Sequence, residues 1–151
     1  AHLFPVGATP AARIAALRAA ARHLRAGGAL LTFPAGRIEP DPLSSRDAAD
    51  SIERWSTSAD LLARLAGPLT VLPAIVGGAI TPAAVAHPAT RLRRAPEDQR
   101  WLAAILQLLR PGLRRDAVRV QLGRPLVSDG GPVSAAVAAE ARRLIAAVGL
   151  P

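Results

Sequence analysis

Leu30-Leu31-Thr32-Phe33-Pro34-Ala35-Gly36-Arg37-Ile38-Glu39-Pro40-Asp41-Pro42 is an apolar run that stops against a turn and then carries three charges. From Ala29 to Phe33 the run has strand length. Pro34 removes a backbone donor and Gly36 admits turn geometry, so neither extends a central strand. The reading predicts a strand over 29–33 with Arg37, Glu39 and Asp41 clustered at its carboxyl end. In an open α/β sheet that is the end where ligands bind. The other reading of the same residues is a Pro-rich surface loop with solvated charges.

Upstream, Thr9-Pro10 supplies a helix cap followed by Pro at the first helical position. Ile14, Leu17, Ala21 and Leu24 recur at helical spacing, and Gly27-Gly28 ends the helix. Arg13, Arg18, Arg22 and Arg25 fall largely on the opposite side, as a solvated face or a contact for lipid head groups. His23 lies near the helix end, where the dipole favours a cation, and receives no catalytic role.

Downstream, Asp47 to Trp55 and Ser58 to Leu65 read as short helices with Trp55 in the core. The serines of this region lack the Gly-x-Ser-x-Gly setting of a nucleophile elbow. Thr70 to Val76 reads as a second strand in which Pro73 implies an edge or a bulge. His87-Pro88 and then Arg91, Arg93 and Arg94 form a basic cluster, either solvated or a phosphate contact. Glu97 to Leu109 reads as a helix with Trp101, Leu102, Ile105, Leu108 and Leu109 facing inward, closed by Pro111-Gly112. Val118 to Leu122 alternates as a third strand, and Ser134 caps a last helix running to Val148. No repeat or linker divides the chain. The expected class is α/β, a mixed sheet flanked by helices in one domain.

The chain has 151 residues, half of them apolar, which excludes a disordered polymer. It contains no Cys, which excludes disulfides, thiolate metal sites and thiol nucleophiles. All 19 basic residues are Arg and the formal charge is +8, favouring an anionic partner. Tyr is absent and other aromatics are few, so a base-stacking platform is poorly supplied and no nucleic-acid signature accompanies the charge. Ala1 to Pro10 lacks the pattern of a secretory signal. The uncharged stretch from Leu65 to Thr90 is interrupted by Pro68, Pro73, Pro82 and Pro88, which argues against a spanning helix.

Phe33-Pro34-Ala35-Gly36-Arg37 resembles the Phe-Pro-Glu-Gly-Thr-Arg block of the glycerolipid acyltransferases, the family that includes lysophosphatidic acid acyltransferase. Two further blocks follow in the family's order. Leu72-Pro73-Ala74-Ile75 is similar to its Val-Pro-hydrophobic run, and Gly123-Arg124-Pro125 to its late Gly-x-Pro segment. Ala35 stands where the family has Glu, Arg37 at the Thr position and Ile38 at the Arg position.

The resemblance implies transfer of an acyl group from acyl-CoA or acyl-carrier protein to a lysophospholipid or glycerol-phosphate acceptor. Those acyl carriers are donor substrates, and no cofactor or metal is implied. It further implies a peripheral place on the cytoplasmic face of an anionic membrane. By the same resemblance, Phe33, Pro34, Gly36 and Arg37 belong to the acceptor-binding block. Arg37 would grip the acceptor phosphate and Glu39 replace the missing carboxylate. The family's catalytic His-x-x-x-x-Asp, in which the Asp orients a general-base His, is not in this sequence. Five residues after His2, His23 and His87 stand Gly7, Gly28 and Leu92. No catalytic residue is therefore assigned. The resemblance covers about Ala11 to Leu126 and the family's later half, so residues 1–151 read as the C-terminal part of a single acyltransferase-like domain. Such a part is expected to be inactive alone, to expose apolar surface, and to oligomerise or dissolve poorly. The alternative function is a noncatalytic remnant or homologue that binds anionic lipid.

Overall fold

Thr9 accepts the Ala12 backbone N–H on its hydroxyl at 3.2 Å, and helix α1 (Pro10–Arg25) starts there as its sequence requires. The computed structural model describes Phe4, residues 9–114 and residues 118–148. After α1 come α2 (Ala48–Ser51), a 3-10 turn over Ile52–Arg54 and α3 (Ser58–Ala66). Strands β1 (Leu69–Val71) and β2 (Ala74–Gly77) follow, then α4 (Pro82–Val85), a 3-10 turn over Pro88–Leu92, and α5 (Pro96–Leu109). Strands β3 (Arg119–Leu122) and β4 (Leu126–Ser128) lead into α6 (Ser134–Val148).

The described residues are mostly helical, with two small antiparallel sheets, β1 on β4 and β2 on β3. The expected mixture of helices and strands is present, but as two separate pairs in place of one mixed sheet. Pro73 explains the division. With no N–H to give to a ladder, it ends β1 and lets β2 turn to a different partner. Its carbonyl accepts from Gly123 N–H at 2.8 Å, so the break is pinned where β3 ends. The expected edge or bulge at Pro73 is thus a corner between two sheets.

The strand expected over 29–33 does not form. These residues join no ladder among the described residues, and Leu31 and Phe33 are exposed. Periodicity supplies an apolar run, but a strand also requires a neighbour to satisfy its backbone. One carbonyl finds a local partner: His23 Nε2–H donates to Ala29 O at 3.2 Å.

Two apolar clusters form the core. Ile52, Ile75, Ala141 and Leu144 pack where α6 crosses β2, with Trp55 against them, as the sequence reading placed it. Ile80, Ala84 and Ala103 pack between α4 and α5, with Ile38 and Leu113 at the margin. Among the described residues, half of the buried apolar ones are alanines, whereas Leu72, Val76, Val120, Leu122 and Val127 remain exposed. The start of α6 is capped from outside its own helix. Asp60 Oδ1 accepts the N–H groups of Val133 and Ser134 at 2.6 and 2.7 Å. Those bonds, Ser134's first, hold the Asp60 carboxyl below its usual range. Among the described residues, no helix is long and apolar enough to cross a membrane.

Candidate functional site

The Phe33–Gly36 turn is closed by Gly36 N–H donating to Phe33 O at 3.2 Å, and Gly36 has φ +62°, a region a side chain would strain. Pro34 O accepts from Ser56 N–H at 3.0 Å, which ties the turn to the link between α2 and α3. Phe33 is 76% exposed.

The residues after the turn separate by destination. Arg37 Nη1 reaches Glu97 Oε2 at 3.3 Å, with both side chains about half exposed. Ile38 enters the α4–α5 cluster, and its carbonyl accepts from Arg100 Nε at 3.4 Å. Glu39 Oε1 accepts from Ser51 Oγ at 2.8 Å and from Trp55 Nε1 at 2.7 Å. Asp41 accepts the backbone N–H groups of Leu43, Gly78 and Ile80. Of the three charges in the opening stretch, two therefore staple the loop to the core. Only Arg37 lines the neighbouring cleft.

That cleft is open, with a volume near 800 Å³, and is lined by Gly36, Arg37, Ile38, Arg93, Glu97, Asp98 and Trp101. The 3-10 turn over Pro88–Leu92 delivers Arg93, whose carbonyl accepts from Gln99 Nε2 at 2.8 Å. The first turn of α5 delivers Glu97 and Asp98. Two arginines and two acidic residues thus line one cleft with Ile38 and Trp101, and Arg37 is paired with Glu97. Such a lining can hold an anion bidentately beside an aliphatic or aromatic body. Among the described residues it contains no nucleophilic hydroxyl and no imidazole. No protein-family model, curated protein or solved structure matches this chain.

Sequence reasoning placed Gly36 and Arg37 in the site, and both line the cleft. Phe33 and Pro34 build the turn that presents them but are not among the lining residues. Glu39, expected to replace a substrate-binding carboxylate, does not line the cleft and is engaged by Ser51 and Trp55. The carboxylates at the cleft come instead from α5. Their sequence signal was Pro96-Glu97-Asp98, which reads as a helix start and gives no sign of what lies opposite. Arg93 came from a basic cluster whose members are indistinguishable by type. Its neighbour Arg37 is 56 positions earlier in the chain.

Both described histidines stand outside the cleft lining. His23 donates to Ala29 O, and His87 Nδ1 accepts the Ala89 N–H at 3.2 Å, capping its own turn. His2 lies outside the described residues. Among the described residues, no group of three or more His, Cys, Asp or Glu side chains is arranged to hold a metal ion.

Proposed function

We propose that this chain carries the acceptor-binding part of a glycerolipid-type acyltransferase, and that the cleft receives the phosphate of a lysophospholipid or glycerol-phosphate acceptor. The observation that supports this reading is the pairing of Arg37 and Arg93 along one cleft beside Ile38 and Trp101. Three sequence blocks in the family's order point to the same class. On this proposal the fold is a later portion of an acyltransferase-like α/β domain.

The bond between Arg37 and Glu97 is compatible with a phosphate ligand. An ion pair half exposed on both sides contributes only about 0–1 kcal/mol. A phosphate dianion offers Arg37 a stronger bidentate partner and can displace the carboxylate. In the reaction, the acceptor hydroxyl attacks the thioester carbonyl, the new ester forms as the carbon–sulfur bond breaks, and the hydroxyl proton ends on the departing thiolate. The residues here bind and orient the acceptor. The base that moves the proton is not among the residues of the cleft, and the family's His-x-x-x-x-Asp is absent from the sequence.

Ala35, where the family has Glu, favours one second reading: a noncatalytic protein that binds anionic lipid in the same cleft. Titration with glycerol 3-phosphate tests what the two readings share. Arg37→Ala and Arg93→Ala should each weaken binding about tenfold or more, the loss of one charged hydrogen-bonding partner. Affinity unchanged in both variants overturns the cleft assignment. An acyl-transfer assay on the gene product then separates the readings. A KM raised chiefly by Arg37→Ala supports the enzyme, whereas absence of transfer by the wild type supports the binding protein.

A further inference from the structure

Helix α5 packs with the smaller part of its surface turned inward. Ala103 is 0% exposed, and buried Gln107 bonds outward from the helix to the α4 region, accepting from Thr81 N–H at 2.6 Å and donating to Ala79 O at 2.9 Å. Leu102, Ile105 and Leu106 are half-buried, and three large apolar residues point away. Trp101 is 53%, Leu108 72% and Leu109 74% exposed. Of the five residues expected to face inward, Leu102 and Ile105 are half-buried, whereas Trp101, Leu108 and Leu109 are exposed. Seven residues is nearly two helical turns, so Trp101 and Leu108 share one stripe, and Leu109 widens it. Exposed Leu92 lies in the 3-10 turn packed against α5.

The border of this stripe is basic. Arg91, Arg93 and Arg94 precede α5, and Arg110 follows it, all exposed. Glu97 faces Arg37, and Asp98 at the helix start offsets one of these four charges, which leaves the rim net positive. A second copy is a poor occupant: an isologous contact would bring two arginine rims together, like charge on like. An anionic bilayer supplies both complements, an apolar layer for the stripe and negative head groups for the rim. Trp101 belongs to both the stripe and the cleft, and an indole suits the depth where the two would meet.

We infer that the exposed face of α5, with Trp101, Leu108 and Leu109 as its apolar contacts and Arg91, Arg93, Arg94 and Arg110 as its rim, docks on an anionic lipid bilayer. The inference rests on the reading of the cleft as a lipid-acceptor site and names the surface that brings it to the acceptor. In the docked state the mouth of the cleft stands at head-group level, where a lysophospholipid phosphate lies.

Vesicle flotation tests it, with phosphatidylcholine alone against phosphatidylcholine containing phosphatidylglycerol. The chain should float with the anionic vesicles, and the double variant Leu108→Glu/Leu109→Glu should lose at least about tenfold in partitioning while keeping its helical circular dichroism. Brominated lipid should quench tryptophan emission in the wild type but not in Trp101→Phe, which retains Trp55. Equal flotation with both vesicle types, or partitioning and quenching unaffected by these variants, overturns the inference. Self-association that Leu108→Glu/Leu109→Glu abolishes, without vesicle binding, assigns the face to a second copy and overturns it as well. Arg37→Ala separates docking from acceptor binding: it should weaken glycerol 3-phosphate binding about tenfold or more and leave flotation intact. Flotation without any glycerol 3-phosphate binding removes the cleft reading alone.

Discussion

Asp41 Oδ1 accepts the backbone N–H of Gly78 at 2.9 Å, joining the loop after the Phe33–Gly36 turn to the residue that follows β2. The same oxygen accepts Leu43 N–H at 2.9 Å, and Oδ2 accepts Ile80 N–H at 3.2 Å. Chain leaving a strand has amides without ladder partners, and one carboxylate here satisfies two of them together with a third from its own loop. Asp41→Ala should lower stability by about 3 kcal/mol, the cost of stranding several part-buried donors. Asp41→Asn, which keeps one oxygen, should lose less. Urea midpoints of the two variants check the order, and equal midpoints for wild type and Asp41→Ala would refute it.

Glu39 performs the corresponding task on the other side of the loop, for Ser51 and the Trp55 indole. Glu39→Ala should cost about 1–3 kcal/mol and shift Trp55 emission, because the indole N–H loses a charged acceptor. Glycerol 3-phosphate affinity, measured on the folded fraction, should stay within about twofold of wild type. A large loss of affinity at full stability would return Glu39 to the binding site.

Glu97 holds the guanidinium that the proposed phosphate ligand would take. Glu97→Gln removes a negative charge from the lining and releases Arg37, so glycerol 3-phosphate should bind more tightly, by about two- to tenfold at low salt. The gain should shrink as salt rises. Weaker binding in Glu97→Gln would mean that Glu97 positions Arg37 for its ligand.

What the sequence made legible follows from how local each signal is. The bounds of α1 and the end of α5 were readable because Thr9-Pro10, Gly27-Gly28 and Pro111-Gly112 act on their own turns. The division at Pro73 was half readable: the missing N–H announced trouble in a ladder, but the choice of β3 for β2 and β4 for β1 is a long-range pairing. Ala29–Phe33 misled because an apolar run states what a segment tolerates and says nothing of whether a neighbour is present to pair with it. In α5 the apolar residues span so much of the circumference that periodicity did not select Ala103 as the packed side. Arg37 was legible from its turn. Its partner Glu97 and its cleft companion Arg93 were not, since nothing in their own neighbourhoods encodes the contact.

Glu140 gives the fold a defined response to acid. Its side chain is buried in the first half of α6, where Oε1 accepts from Arg143 Nη2 at 2.6 Å and from Arg124 N–H at 2.8 Å. The Arg143 hydrogen bond first, and then the Arg124 amide, lower the carboxyl from 4.5 to about 2. A carboxyl whose folded value lies below its unfolded value stabilises the fold above the unfolded value and loses that contribution as pH falls through the folded one. The contribution should therefore be whole above about pH 4.5 and vanish progressively toward pH 2. Glu140→Gln keeps the shape but removes the charge, so its Tm should lie below wild type at neutral pH, with the two values converging as pH falls through that window. The geometry of Gly123, packed against the Glu140 side chain, is common to both proteins and cancels in the comparison. A Tm difference that stayed constant from pH 7 to pH 2 would show that the two arginine contacts do not favour the ionised form.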